Sequence, residues 1–547
     1  MPESLPNVLD KRRTIAGPGF NRWLVPPAAL CVHLCIGMAY GFSVFWLPLT
    51  RAIGITQPVP CPPSLGLIGR LTTTTSDWDK PLLGWMYTLF FVFLGSSAAL
   101  FGTWLERAGP RKAAVVSAVC WCGGLVIAAA GVYWHQLWVL WLGSGVIGGI
   151  GLGLGYISPV STLIKWFPDR RGMATGMAIM GFGGGAMVGS PLADTLMKYF
   201  AGPESVGVWQ TFLVLAAVYF VFMMVGAFAY RIPPDGWTPE GWGGAATVSK
   251  ASDPGRPAPR QRSFSVREAC RTRQFWLVWL VLCLNVSAGI GVIGMASPML
   301  QEVFGGRLLG LDIPFEALDA AQLGRMAAMA AGFTGLLSLF NILGRFFWSS
   351  LSDWLGRKTT YAIFFLLGIA LYSAVPAVGQ AGQIALFCGI FCLIMTMYGG
   401  GFAAIPAYLA DLFGTGFVGA IHGRLLTAWS VAGILGPVLV NSVTEQQLRA
   451  GVPRACAYDR TMMLLAGLLA VGFVCNALIR PVGPTDVEPE AARAIPQRAL
   501  APATRPGTVT AMRPGNLLLL IGFWLFVTIP MGWGLWATIR QAAVLFW

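Results

Sequence analysis

Charge is what this sequence of 547 residues has least of: Asp, Glu, Lys and Arg together make up only 11% of it. A soluble domain carries about a quarter, so an ordinary cytosolic enzyme and a disordered chain are both excluded. Cysteine is present, 11 in all, but not in any pattern that does chemistry. Cys31, Cys35, Cys120, Cys122, Cys283, Cys388, Cys392 and Cys475 lie inside apolar runs, where a small core residue is the expected role. That excludes a disulfide scaffold and a metal cluster. Only Cys61 and Cys456 fall in loops, where an oxidising compartment could join them. Acidic residues are missing from the long apolar runs, which removes the usual intramembrane carboxylate relay for protons. There is no nucleophile with a base, no phosphate loop and no metal-ligand cluster, so an enzyme is the poorest reading and no cofactor or metal is expected. Gly151-x-Gly153-x-x-Tyr156 follows no strand and is no nucleotide loop. A cleavable leader is not expected either, because residues 1–22 are polar and the run Trp23–Leu49 is far longer than a signal core.

What the sequence has instead is apolar length. Hydrophobic residues make up 56%, and the mean hydropathy is +0.66. Runs able to cross a ~30 Å hydrocarbon layer occur near 23–49, 82–104, 113–134, 137–164, 173–193 and 208–230. A second set lies near 275–300, 326–351, 360–378, 382–410, 425–443 and 459–479, with one more at 517–537. The fold class is therefore all-α and polytopic, since only helices and closed barrels satisfy their backbone in lipid. The net charge of +14 sorts by location rather than pointing to nucleic acid. Most of the 37 Lys and Arg lie on one set of connections, which predicts a cytoplasmic N-terminus in a bacterial inner (plasma) membrane. The expected organisation is a six-helix half over 1–230 with an outer loop at 51–81, then a cytoplasmic linker over 231–274. A second six-helix half over 275–480, a Pro-rich cytoplasmic segment over 481–514 and an extra helix within 515–547 complete it.

The two halves repeat. Gly102-x-x-x-Glu106-Arg107-x-Gly109-x-Arg111-Lys112 follows the second run, and Asp353-Trp354-Leu355-Gly356-Arg357-Lys358 follows the eighth. Gly153-x-Gly155-Tyr156 recurs as Gly399-x-Gly401-Phe402 at nearly the same offset. An acid at a helix end beside a basic cluster can pair across neighbouring termini and release when the halves rock. Both copies resemble the signature loop of the major facilitator superfamily. Tyr40-Gly41-Phe42-Ser43-Val44-Phe45, Gly151-x-Gly153-x-Gly155-Tyr156 with Pro159, Lys165-Trp166-Phe167-Pro168-Asp169-Arg170-Arg171-Gly172, and Gly344-Arg345 narrow the likeness. In order and spacing they are similar to the oxalate/formate antiporter family, over nearly the whole chain to about residue 480. The resemblance implies two six-helix halves around one central site, working by alternating access on small carboxylates.

Arg345 is the one Lys or Arg interior to an expected span, where a cation costs about 2.5–3.5 kcal/mol. Helix side chains lean toward the N-terminus, which points Arg345 toward the midplane rather than the nearer interface. A guanidinium there is a permanent bidentate partner for a carboxylate, and in the resembled family an arginine at this place binds the anion. That family's oxalate carrier also has a lysine in the eleventh helix, where this chain reads Thr427-Ala428-Trp429. One cation balances one carboxylate. The expected cargo is thus a monocarboxylate of the formate, lactate or pyruvate type, moved by exchange or uniport. Oxalate/formate exchange and proton-coupled symport through His33 are the alternatives, and a non-transporting sensor is a remote one. Tyr40, Tyr156, Tyr398, Phe402 and Trp429 are expected to line the path, with His33 ten residues into the first run. Gly181, Gly185 and Gly189, like Gly433, Gly436 and Pro437, are assigned to helix packing. The expected partners are a small organic anion and the bilayer, with the protein acting as a monomer.

Overall fold

A computed structural model describes residues 7–55, 59–62, 64–234, 237–239, 263–482 and 514–543. Most of the 231–274 linker and nearly all of the 481–514 segment lie outside the described residues. Among the described residues, thirteen helices are long and apolar enough to cross a membrane. The first half comprises α1 (Arg22–Leu49), α2 (Leu82–Ala108), α3 (Pro110–Tyr133), α4 (Leu137–Trp166), α5 (Arg171–Phe200) and α6 (Val208–Ala229). The second comprises α7 (Arg273–Leu309), α8 (Met329–Leu355), α9 (Arg357–Gln380), α10 (Ile384–Phe413), α11 (Val418–Arg449) and α12 (Arg454–Ala477). Helix α13 (Leu517–Arg540) stands outside this twelve-helix body.

Local chemistry explains the joints. Helices α2 and α3 meet at Gly109 (φ +89°, ψ 160°), and α8 and α9 meet at Gly356 (φ +84°, ψ 148°). This backbone region is open essentially to glycine alone, so the glycine of each signature loop is a one-residue hinge between antiparallel helices. Helix α1 tightens into 3-10 turns over Gly37–Phe45, where Gly37 and Gly41 bring it against α5. Gly181, Gly185 and Gly189 face α1 from the other side, in keeping with packing. Helix α11 starts seven residues before its expected beginning. Val418–Leu425 is already helical and, Arg424 apart, buried, and the axis breaks at Leu426 before Thr427–Arg449 continues. Hydropathy missed that first segment because it contains His422 and Arg424. The latter reaches out to donate from Nε to the Ala99 carbonyl of α2 at 2.8 Å.

The halves meet along α2 with α11 and α5 with α8. Helix α13 lies across that seam on the α5–α8 side. A Cβ at Gly534 would stand 2.9 Å from the Met187 carbonyl of α5, and one at Gly335 would stand 3.2 Å from Thr538. Val527 is fully buried against Leu30, Cys31 and Leu34 of α1.

The described residues of loop 51–81 are tied down by specific bonds. The Asp77 carboxylate accepts backbone N–H bonds from Ile53 (2.7 Å), Gly54 (3.1 Å) and Val59 (2.8 Å). His135 stacks on Trp78 with ring centroids 4.1 Å apart and 8° between planes, while its Nε2 meets the Ser76 carbonyl at 2.9 Å. Cys61 and Cys456 are free thiols, as are the other nine cysteines.

Two outcomes follow from these joints. Gly356→Ala is expected to cost about 1–3 kcal/mol of stability by forcing a side chain into a glycine-only conformation, read as a lower melting temperature in detergent. Gly467→Ala, on an open helix face, is the control and should not lower it. Burial holds the His135 ring below its usual pKa, against the opposing pull of the Ser76 carbonyl and Asp77. Folding therefore favours the neutral ring, so this stabilisation is complete above about pH 6.5 and fades as pH falls below that value. The melting temperature should drop more on acidification from about pH 7.5 to 5.5 in the wild type than in His135→Asn, a residue that tolerates the positive φ there.

Candidate functional site

Arg345 lies ten residues from the end of α8, or about 15 Å at ~1.5 Å per residue, which is half a ~30 Å bilayer. It is fully buried. Nε donates to Asn341 Oδ1 at 2.9 Å, one turn earlier, and Nη1 donates to the Ile179 carbonyl of α5 at 3.2 Å. Nη2 is buried without a hydrogen-bond partner. Snorkelling to the interface is thereby excluded. Neither bond neutralises the charge, because both acceptors are uncharged. Room for the head group comes from two glycines: a Cβ at Gly183 would stand 2.9 Å from Arg345 Nε, and one at Gly399 would meet Asn341.

Aromatic rings close around the guanidinium. Its carbon lies 5.6 Å from the Phe402 ring centroid, 5.7 Å from Phe182 and 6.0 Å from Tyr40, within reach of a cation–π attraction. Trp429 touches Phe402 (4.5 Å between centroids), Tyr156 (5.3 Å), Phe182 (5.5 Å) and Tyr40 (6.2 Å). Tyr40 and Tyr398 share a hydrogen bond of 3.2 Å between their hydroxyls, one from each half. His33 lies 5.4 Å from Tyr156. Thus all seven side chains expected at the site, Arg345, Trp429, Tyr398, Phe402, Tyr40, Tyr156 and His33, converge in one cluster.

Their roles differ. His33 faces the Ala178 carbonyl of α5 with Nδ1 (2.6 Å) and the Tyr156 carbonyl of α4 with Nε2 (3.2 Å), and a neutral ring donates to one of the two. Tyr156 Oη and Trp429 Nε1, by contrast, are buried without hydrogen-bond partners, like Arg345 Nη2. Four further members were not visible in the sequence. His422 is 1% exposed with both ring nitrogens unpartnered, its ring 5.9 Å from Tyr156. Asn341 would have been found by asking what sits one turn before the buried cation. Phe182 and Gly183 sit between the glycines of the α5 stripe, and nothing in their spacing sets them apart.

One face of the bundle, carrying the N-terminal segment and both signature loops, is closed by polar bonds. Asp353 accepts from Arg357 Nη2 and from the backbone N–H groups of Gly172 (2.8 Å) and Met173 (2.9 Å), at the start of α5 in the other half. A carboxylate at a helix N-terminus gains from both the free amides and the dipole. Asp411 accepts from Arg171 across the seam (2.9 Å) and from Arg357 of its own half (3.1 Å). The first loop behaves differently. Glu106 pairs with Lys165 at 2.7 Å within its own half, though it also lies against Gly419 at the start of α11. Arg111 donates to the Val8, Phe228 and Tyr230 carbonyls, and Lys358 to those of Ala477 and Ile479. Arg107 and Lys112 are exposed. At the level of the cluster, two further bonds join the halves: Tyr40 with Tyr398, and Ser430 Oγ of α11, which donates to the Phe91 carbonyl of α2.

Known proteins give this architecture its context. A family model for the major facilitator superfamily matches residues 29–437. The chain is 25% identical to the oxalate:formate antiporter of Oxalobacter formigenes over 427 residues, covering 76% of this chain and 83% of that protein. It is 27% identical to apicoplast pyruvate carrier 1 of Toxoplasma gondii over 518 residues (82% and 87%), and 24% identical to human monocarboxylate transporter 11 over 444 (79% of each). Among solved structures, the E. coli fucose:proton symporter FucP aligns with TM-score 0.53 and 14% identity over 84% of this chain and 100% of that one. The proton:xylose symporter XylE aligns with TM-score 0.57 and 13% identity over 84% and 96%. With two six-helix halves, two signature loops and a family match across most of its length, the chain belongs to the major facilitator superfamily.

Proposed function

We propose that this transporter carries small monocarboxylates, of the formate, lactate or pyruvate type, by alternating access around Arg345. The carrying observation is the uncompensated guanidinium: buried at mid-depth, bonded only to neutral acceptors, with Nη2 free. A carboxylate would take Nη2 and remove a penalty of about 2.5–3.5 kcal/mol for a lone cation at that depth. Trp429 Nε1 and the Tyr156 hydroxyl are the other idle donors beside it, while His422 adds either a donor or an acceptor. The rings suit a short apolar tail. No second cation stands in the cluster, so a dicarboxylate would bring in an unbalanced charge, costly in low dielectric. The names of the relatives, which include an oxalate:formate antiporter, a pyruvate carrier and a monocarboxylate transporter, support the substrate class.

The empty site resists closure because sealing it traps a bare charge, and a bound anion lifts that resistance. Obligatory exchange then follows without a proton relay. With the Lys- and Arg-rich face in the cytoplasm, the face closed by Asp353 and Asp411 is the inner one, and the site lies buried between that face and the 51–81 side. His33 serves as a strut, its neutral ring donating to one of the two backbone carbonyls that its nitrogens face.

Counterflow into proteoliposomes with labelled formate, lactate, pyruvate and oxalate tests the reading. Arg345→Gln is expected to reduce monocarboxylate exchange by about 100-fold or more, the scale for losing a buried charge pair; exchange at the wild-type rate would refute it. Asn341→Asp places a carboxyl beside Nε and should suppress exchange at neutral pH, with recovery as acidification protonates the introduced acid. Oxalate exchanged as fast as formate would select the dicarboxylate alternative.

A further inference from the structure

A cleft of about 590 Å³ lies between α13 and α6 at the end of the bundle that carries the N-terminal segment. Its walls are Val225 and Ala229 of α6, Leu519 and Phe523 of α13, and Leu24 at the start of α1. Phe526 stacks on Phe222 (4.5 Å between centroids, 17°) at the end nearer mid-membrane, while Arg231 stands at the other. Leu518 and Leu519 are 72% and 59% exposed, so the cleft opens sideways to where lipid lies. An apolar space of this size left unfilled would forfeit its dispersion contacts, and it offers water no polar partners along its length.

The charged end is as one-sided as the walls are apolar. Arg231 Nη1 donates to the Phe228 and Tyr230 carbonyls, both at 2.9 Å. Arg111 Nη2 shares the same two carbonyls at 3.3 and 3.5 Å, and its Nε is buried without a partner. Arg13 adds a third cation whose field reaches Arg111. No carboxylate among the described residues pairs with Arg231, Arg111 or Arg13. A chain-shaped apolar slot that ends on unbalanced guanidiniums fits a molecule with an acyl tail and a negative head.

We infer that this cleft is a binding site for one net-anionic glycerophospholipid, with an acyl chain between α6 and α13 and its phosphate on Arg231. Guanidinium and phosphate pair bidentately, and basic pockets between membrane helices select anionic head groups. The lipid would then fill the gap that α13 leaves on its α6 side while it packs on α5 and α8.

Full-length protein, delipidated in detergent and titrated with phosphatidylglycerol or phosphatidylcholine, tests this by melting temperature and by native mass spectrometry of retained lipid. Phosphatidylglycerol is expected to raise the melting temperature and to stay bound more tightly than phosphatidylcholine. Arg231→Gln should weaken phosphatidylglycerol about tenfold, one lost charge-assisted pair, and abolish the preference while still admitting a chain. Gly522→Leu fills the cleft from a position where an added Cβ meets nothing within 4 Å, and should remove the lipid-dependent rise. Gly467→Leu, on an equally open helix face, controls for the substitution itself and should keep it. Equal response to the two lipids in the wild type, or an unchanged phosphatidylglycerol response in Gly522→Leu, overturns the inference.

Discussion

A positive charge without a counter-charge, held halfway through an apolar bundle, is the constraint that organises the centre of this protein. Arg345 is positioned but not neutralised: Asn341 and the Ile179 carbonyl orient the guanidinium, and neither carries charge. An aspartate in place of Asn341 would satisfy the fold better and leave little for a ligand to do. Glycine at 183 and 399 brings α5 and α10 close enough to wall in the head group. Rings from both halves complete the enclosure, so the cation stays in low dielectric, where an anion is worth most.

The second level of organisation is the closed face. Both signature loops use the same glycine hinge, and both bring an acid to the start of a helix in the opposite half, yet only the second copy makes bonds across the seam. Asp353 and Asp411 join α8, α9 and α10 to α5 through hydrogen bonds and ion pairs. Glu106 is held by Lys165 of its own half and only touches α11. The sequence repeat is therefore not a repeat of interactions. Asp411 is partly exposed, so its pairs are worth little alone, whereas Asp353 and Arg357 are largely buried. Together they make one cluster of polar bonds at the seam, the kind of arrangement that has two discrete states.

Helix α13 adds an element outside the twelve-helix plan. It packs on α5 and α8, the two helices that meet across the seam near Arg345, and buries Val527 against α1. Any movement between the halves must slide one of those contacts or carry α13 along with one side.

The sequence by itself determined the helical membrane architecture, the two-half repeat, the hinge glycines and the buried cation, because each is written in composition, run length or spacing along one chain. Even the seven expected site residues came together as a cluster, since a helix carries a residue to a predictable depth. Tertiary structure alone decided what each does there. Asn341, Phe182, Gly183 and His422 joined the site through contacts between helices, which spacing within a helix does not encode. His422 was hidden further by hydropathy, which read the polar start of α11 as loop although it is buried against α2 and α4. Which loop copy bonds across the seam, where α13 lies, and whether a ring nitrogen meets a carbonyl or stands free are all settled by neighbours distant in sequence, and only the folded packing brings those neighbours together.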